Sequence, residues 1–279
     1  MSPLSGAQRR VSYSERVTEN KSHANIGLSR LFTHVLHETA PRHEVERSLD
    51  LIRFLGGIVS QDQLEMWIGR DYEFFAEKLL EKYEIRRDAL LLAVAPGAGH
   101  PKRRWPLSNF AALGRWFTTN YNGFLVVLGS KEERILGDEI SRRLGPKVIN
   151  ATGETNLLQA AAVLTRCHLF LGNDAGLLHL AAAVGLPVIE ISCHPLGGSS
   201  GHENSPERFG PWGVPHRILR PDRTLVLCGD ACDTDEAHCI LRVSVEQAKE
   251  AVATVLALQV GRDKNDSFQP SGISSHSTL

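Results

Sequence analysis

The stretch LFLGNDAGLLHLAAAVGLPVIEI, residues 169–191, decides the fold of this chain. It opens and closes on short apolar runs, 169–171 and 188–191, and its middle, 174–184, is a Leu- and Ala-rich segment of helical length. The joint between the first run and the helix is Gly172-Asn173-Asp174-Ala175-Gly176. A strand, a tight polar loop, a helix and a second strand make one βαβ unit, and working outward the same rhythm recurs. Strand-type runs at 90–95, 124–128 and 148–149 are each followed by a helical segment, at 108–120, 131–144 and 156–166. These strands are too uniformly apolar to face water on either side, so they belong to a parallel sheet covered by helices on both faces. Such sheets bind ligands outside the carboxyl ends of their strands. The loops after Ala95, Leu128, Ile149 and Leu171 are therefore where chemistry is sought.

Upstream, Val45, Leu49, Ile52 and Leu55 recur at four, three and three, one stripe of a helix closed by Gly56-Gly57. A second amphipathic run covers 71–83, and the change to strand–helix alternation sets a boundary near residue 88. Downstream lie a Gly/Pro/His loop to about Pro215, an apolar stretch at 216–219, a Cys-containing loop, and a last helix opened by a capping box of Ser244 and Gln247. Three parts follow: 1–87, mostly helical; 88–260, the sheet domain; and 261–279, a flexible tail. The opening residues to about His23 are expected to be loosely ordered as well.

The bulk properties exclude several classes. With 42% hydrophobic residues the 279-residue chain can bury a sizeable core, and 31 Lys+Arg against 32 Asp+Glu give a net charge of -1, which argues against a general nucleic-acid binder. No run approaches the roughly 20 apolar residues of a membrane helix, and the first thirty residues lack the apolar core of a signal peptide. A cytoplasmic protein is expected, with reduced thiols at its five cysteines.

The first loop, from Ala95 to Pro106, contains Gly97-Ala98-Gly99 and then Lys102-Arg103-Arg104. Glycines let backbone amides approach an anion, and the basic residues supply charge-assisted hydrogen bonds, which suits a phosphate. A plain turn with a solvated basic face fits the same residues. Neither the dinucleotide fingerprint nor the GK[ST] of a P-loop is present. In the second loop, Gly129-Ser130-Lys131-Glu132-Glu133, Glu132 or Glu133 could accept hydrogen bonds from ribose hydroxyls, or could simply favour a helix N-terminus. Thr152-Gly153-Glu154-Thr155-Asn156 offers polar turns and a helix cap. The fourth loop places the amides of Ala175 and Gly176 in the first turn of a helix, where donors are unpaired and the dipole is positive, so a pyrophosphate fits there. Asp174 reads most simply as the N-cap, and His179 is an ionisable group early in an apolar helix.

Taken together, these loops resemble glycosyltransferase family 9, the heptosyltransferases of the lipopolysaccharide inner core. The resemblance rests on Pro96-Gly97-Ala98-Gly99 with Lys102-Arg103-Arg104-Trp105-Pro106, on Leu128-Gly129, on Gly153 with Thr155, and on Gly172 through Ala183, in order and spacing across about residues 90–190. The helix from His43 to Gly56 resembles the one that closes the acceptor half of that family. The implied fold is α/β, of GT-B type: a Rossmann-like donor domain at 88–260, preceded here by a partial N-terminal, acceptor-side domain at 1–87.

The resemblance implies a metal-independent, inverting transfer of a sugar, a heptose from ADP-heptose, to a lipopolysaccharide core or related lipid-linked acceptor, with no cofactor and at most peripheral contact with the inner face of the membrane. Carried over position by position, Gly97, Ala98 and Lys102 or Arg103 would meet the donor phosphates. Gly129 and Ser130 would also bind the donor, Glu132 would lie at the ribose and Thr155 near the base, while Asp174, Ala175, Gly176 and His179 would hold the pyrophosphate. Residues 1–40 contain neither the opening hydrophobic strand nor the Gly-Asp loop that carries the family's base, so more than half of the acceptor domain is expected to be missing and no catalytic base is assigned. Asp50 and Glu46 lie on a helix and are not nominated. Positions 175 and 177 are Ala and Leu where relatives often have Ser and Pro. A non-catalytic nucleotide-binding fragment is the alternative. An NAD-dependent dehydrogenase is a poorer one, because the glycine fingerprint is absent. Cys228, Cys232 and Cys239, with His238, could bind zinc, but their spacing is not that of a finger or ribbon and no metal is expected.

Overall fold

The protein is described by a computed structural model, which covers residues 6–14, 28–38, 40–202, 204–223 and 236–266. Six strands form one all-parallel sheet: β3 (Leu91–Ala95), β4 (Phe124–Val127), β5 (Val148–Asn150), β6 (Leu169–Asn173), β7 (Val188–Ile191) and β8 (His216–Leu219), in the order β5-β4-β3-β6-β7-β8. Between them run α3 (Leu107–Tyr121), α4 (Arg134–Leu144), α5 (Leu157–Leu164), α6 (Gly176–Ala183) and the short α7 (Pro206–Phe209), and α8 (Val245–Asp266) follows the sheet. This is the α/β architecture expected from the alternating runs.

The strands are buried on both faces because each presents apolar residues to two helical layers. On one face Ala93, Val126, Ile149, Phe170 and Val188 pack with α5, α6 and the preceding helix α2 (Arg70–Lys82). On the other, Leu92, Val94, Leu125, Val127, Leu171 and Ile189 pack with α3, α4 and α8. Local signals agree with the packing. Ser244 and Gln247 bond reciprocally at the start of α8, and Asn156 and Gln159 do the same at α5.

Strand order reverses between β3 and β6. The chain steps outward from β3 through β4 to β5, then returns to β6 and steps outward the other way. The loops leaving β3 and β6 therefore diverge and open a crevice at the carboxyl edge, the place where doubly wound sheets bind ligands.

Before the sheet, α1 (Glu44–Phe54) covers the predicted helix and ends where Gly56 turns at φ 88. Two features are additional to the sequence reading. Val11–Tyr13 (β1) and His34–Leu36 (β2) form a parallel pair, in a region expected to be loosely ordered. Three-residue strands are too short to show alternation, and their pairing is non-local. At the other end α8 continues to Asp266. Residues 1–5, 15–27 and 267–279, on which most of the expected end disorder falls, lie outside the described residues, as do Cys228 and Cys232. Among the described residues no helix is long and apolar enough to cross a membrane.

Packing against the sheet is tight at Gly123, just before β4. A Cβ there would fall 2.5 Å from the buried Phe117 ring and 2.8 Å from the carbonyl oxygen of Leu90, which accepts from the Phe124 amide at the start of the β3–β4 ladder. Gly123→Ala is expected to destabilise the fold by about 1–3 kcal/mol in urea titration, the usual cost of overpacking. Gly176→Ala, where nothing lies within 4 Å, serves as a control for packing.

Candidate functional site

The crevice is built from four loop regions. After β3, Pro96, Gly97 and Ala98 are buried, and a 3-10 turn at Pro101–Arg103 leads into α3. Arg104 folds back and donates through Nε and Nη2 to the carbonyl of Ala98 (3.0 and 2.8 Å), so of the three consecutive basic residues this one holds the loop. Lys102 and Arg103 are half-buried at its rim. Trp105 closes the loop, its ring buried and its Nε1 donating to Val243 O at 2.7 Å.

After β4, Gly129 is half-buried and Ser130 exposed. Glu132 is also exposed, and a hydrogen bond from Ser130 lowers its carboxyl. Its neighbour Glu133 turns inward: Oε2 accepts from the Ser130 amide at 2.9 Å, and a Cβ on Gly97 would fall 1.8 Å from Oε1. Glu133 is therefore the carboxylate that reaches the first loop, and Gly97 must lack a side chain to admit it. In the third region Thr155 is half-buried beside the Asn156 cap, while Thr152 Oγ1 is buried without a partner.

At the end of β6 the structure corrects one reading. Asp174 is not the N-cap of α6; Ala175 is, in extended conformation and without a side-chain cap. The helix begins one residue later than a capping aspartate requires, and Asp174 turns instead toward Arg103, with Oδ2 3.6 Å from Nη1. Burial pushes the Asp174 carboxyl up from its ordinary value, opposed by the charges of Arg103 and His179. Burial likewise pulls the His179 imidazole down, against the pull of Asp174, with His43 of α1 adding to the depression. Gly176, the first helical residue, is exposed and faces open space. The unpaired amides that open α6 thus border the crevice together with Arg103, and the arrangement can hold a dianionic group.

The side facing this crevice is supplied by α1 and the loop after β7. His43 caps α1 through Nδ1, meets the carbonyl of Gly210 at 3.0 Å through Nε2, and stacks on Trp212 at 4.4 Å. Trp212 Nε1 donates to Asp62 O at 2.7 Å. The buried Arg208 ion-pairs with Glu44. Trp212 thus packs within the chain.

Sequence reasoning left Glu132 and Glu133 as alternatives and passed over Asn173 and Glu190 as functional residues. Asn173 and Glu190 each carried a signal, a polar residue inside an apolar strand. Glu190 lies in β7, 1% exposed, with Oε2 unpartnered. Burial, then the charge of Asp174, pushes its carboxyl up to about 8, against a hydrogen bond with Ser192. Cys193 is pushed up to about 12 by burial, which leaves no thiolate for chemistry near neutrality. Cys239 is buried, and among the described residues no cluster of three metal-ligating side chains occurs.

Fold and crevice define a doubly wound α/β protein with an open helix N-terminus at its switch point. The chain belongs to glycosyltransferase family 9 (heptosyltransferase), whose sequence model matches residues 9–224. It is 35% identical over 123 residues to lipooligosaccharide heptosyltransferase 2 of Haemophilus influenzae, a match covering 40% of this chain and 35% of that protein. Lipopolysaccharide heptosyltransferase 2 of Escherichia coli K12 is 31% identical over 116 residues, covering 39% and 33%. The match thus spans about a third of the length of these relatives. Among solved structures, a family 9 glycosyl transferase from Veillonella parvula superimposes with a TM-score of 0.71 at 21% identity, over 82% of this chain and 65% of that one. E. coli ADP-heptose LPS heptosyltransferase II gives 0.65 at 20%, over 91% and 72%. The GT-B-type fold expected from the resemblance is the fold of these chains.

The buried Glu190 carboxyl makes stability depend on pH with a definite sign. Its folded value, about 8, lies above its ordinary 4.5, so its contribution is fully present below about pH 4.5 and is lost as pH rises through about 8. Glu190→Gln is expected to flatten this part of the profile: the melting temperature of the variant should fall less than that of wild type between about pH 5 and pH 9. Parallel profiles would mean that Glu190 is not buried as described.

Proposed function

We propose that this chain binds a nucleoside-diphosphate sugar in the crevice between β3 and β6 and serves in glycosyl transfer of the lipopolysaccharide-core type, with residues 88–260 as the donor-binding part and residues 1–87 on the acceptor side. The observation that carries the reading is the open N-terminus of α6 at Gly176, flanked by the Arg103–Asp174 pair. Backbone amides and a guanidinium fixed at one point stabilise the charge that grows on a departing diphosphate. Donors of this kind need no metal ion to help them, and metal independence is part of the proposal, as is inversion at the sugar.

Within this reading Gly97 and Ala98 admit the phosphates, with Lys102 and Arg103 as their cations. Ala175, Gly176 and His179 meet the pyrophosphate, and Thr155 lies near the base. Gly129 and Ser130 also bind the donor. Glu133 joins Glu132 as a ribose contact, and its inward position favours it over Glu132. ADP is the favoured nucleotide because a solved family relative of the same fold, the E. coli heptosyltransferase WaaC with ADP, superimposes with a TM-score of 0.55 at 16% identity, over 81% of this chain and 61% of that one. A heptose donor and a lipid-linked core acceptor follow from the family.

A second reading, a nucleotide-binding chain without turnover of its own, is favoured by one observation. Asp50 is ion-paired with Arg42 and Arg53, and Glu46 with Arg53, so neither stands free as a base. Product formation from ADP-heptose by the 279-residue chain alone would exclude it.

Gly176→Pro separates site from scaffold. Proline is tolerated as the first helical residue, and the extended Ala175 (φ -157, ψ 168) suits a residue preceding proline. The change removes one amide donor and fills the open space in front of it. Calorimetric titration with ADP, with UDP, GDP and NAD as competitors, is expected to give selective ADP binding by wild type. The variant should bind about ten- to a hundredfold more weakly, the worth of one charge-assisted hydrogen bond, with its melting temperature little changed. Equal affinities would remove the helix terminus from the site.

A further inference from the structure

The backbone ladder joining β3 to β6 ends at the pair Ala95–Gly172, and beyond it the two chains part to form the crevice. Asn173 is the next residue of β6 and is fully buried. Its Nδ2 donates to the carbonyls of Pro96 (2.9 Å) and Gly97 (3.2 Å), and its Oδ1 accepts from the amide of Trp105 (3.0 Å). One side-chain amide, chemically a peptide group, thus extends the ladder after the backbones have separated. It also ties both ends of the loop between Gly97 and Trp105 to a single point. Within that loop lie Ala98, Lys102 and Arg103, and the residues directly after Asn173 are Asp174, Ala175 and Gly176. The Arg103–Asp174 pair spans the same gap one residue further out.

We propose that Asn173 is a positioning residue of the donor site: it fixes the spacing between the 96–105 loop and the N-terminus of α6, so that the two sets of phosphate donors converge on one diphosphate. It acts through the loop and touches no ligand. The inference rests on the reading that this crevice binds a nucleoside diphosphate, but the clamp itself can be tested without one.

Asn173→Leu keeps the branched shape and the neutrality of the side chain and deletes all three hydrogen bonds. In hydrogen exchange of the ligand-free protein, amides of 96–105 are expected to lose at least tenfold in protection while those of β4 and α5 keep theirs. In calorimetry, ADP should bind at least tenfold more weakly to the variant, whereas adenosine, which lacks the diphosphate, should change by less than twofold. Loop protection within twofold of wild type overturns the proposal, and so does an equal loss for ADP and adenosine, which is the mark of general loosening. If Asn173→Leu does not fold, Asn173→Ser, whose hydroxyl is too short to reach both sides of the loop, is measured in the same way. A wild-type chain that binds neither ADP nor adenosine overturns the nucleotide reading instead, and that result needs no variant.

Discussion

Parallel strands cannot hydrogen-bond past the point where their connections leave in opposite directions, and in this protein that point is the end of the β3–β6 ladder. Everything the crevice offers follows from the parting. The loop after β3 must travel to α3 on one face of the sheet, while the chain after β6 turns into α6 on the other. Between them remain backbone groups with no strand to pair with. Burying such groups unpaired costs free energy, so they are satisfied by side chains or left facing water. The protein does both: Asn173 and Arg104 satisfy the carbonyls of Pro96, Gly97 and Ala98, and the first amides of α6 are left toward solvent at Gly176. The same topology therefore produces a rigid wall and an unfilled set of donors a few residues apart.

Charge is arranged around that gap with little margin. Asp174 and Glu190 are carboxyls in a low-dielectric edge of the sheet, each raised by burial, and the charge of Asp174 raises Glu190 further. Arg103 is the opposing charge nearest to Asp174, at 3.6 Å and partly exposed. The 3.6 Å separation orients the Arg103 guanidinium at the rim of the crevice. His179 lies on the same helix as these amides and is pulled toward its neutral form by burial.

The sheet was legible because its signal is repeated: six short apolar runs, each followed by a turn, with helices after most of them, cannot be arranged in many ways. Element ends fell within a few residues, and the helix caps at Asn156 and Ser244 were readable from residue type alone. What escaped was whatever depended on a partner distant in sequence. β1 and β2 are three residues each and exist through one another. Asp174 has the chemistry of an N-cap, and only the position of Arg103, 71 residues earlier, turns it away. Glu132 and Glu133 are equivalent on paper. The choice between them is made by Gly97, whose missing side chain leaves room for one carboxylate and not the other. Asn173 stands out in sequence only as a polar residue in an apolar strand; its partners are Pro96, Gly97 and Trp105, all distant in sequence.

The segment before the sheet is bound to the crevice by a different principle. Its contacts with the loop after β7 centre on one buried side chain, Arg208, with half-buried partners around it. Arg208 is 1% exposed and meets Glu44, itself bonded to Arg47, while His43 is held between Trp212 and the carbonyl of Gly210. Removing one partner from a buried ion pair costs far more than an exposed pair contributes, so such a contact specifies one placement of α1 more strongly than it stabilises it. The placement matters because His43, the cap of α1, is near enough to His179 to depress it. Helix α1 is thereby fixed in electrostatic contact with the end of the crevice where α6 begins. Any group that binds there must do so in the presence of two imidazoles contributed by two different parts of the chain.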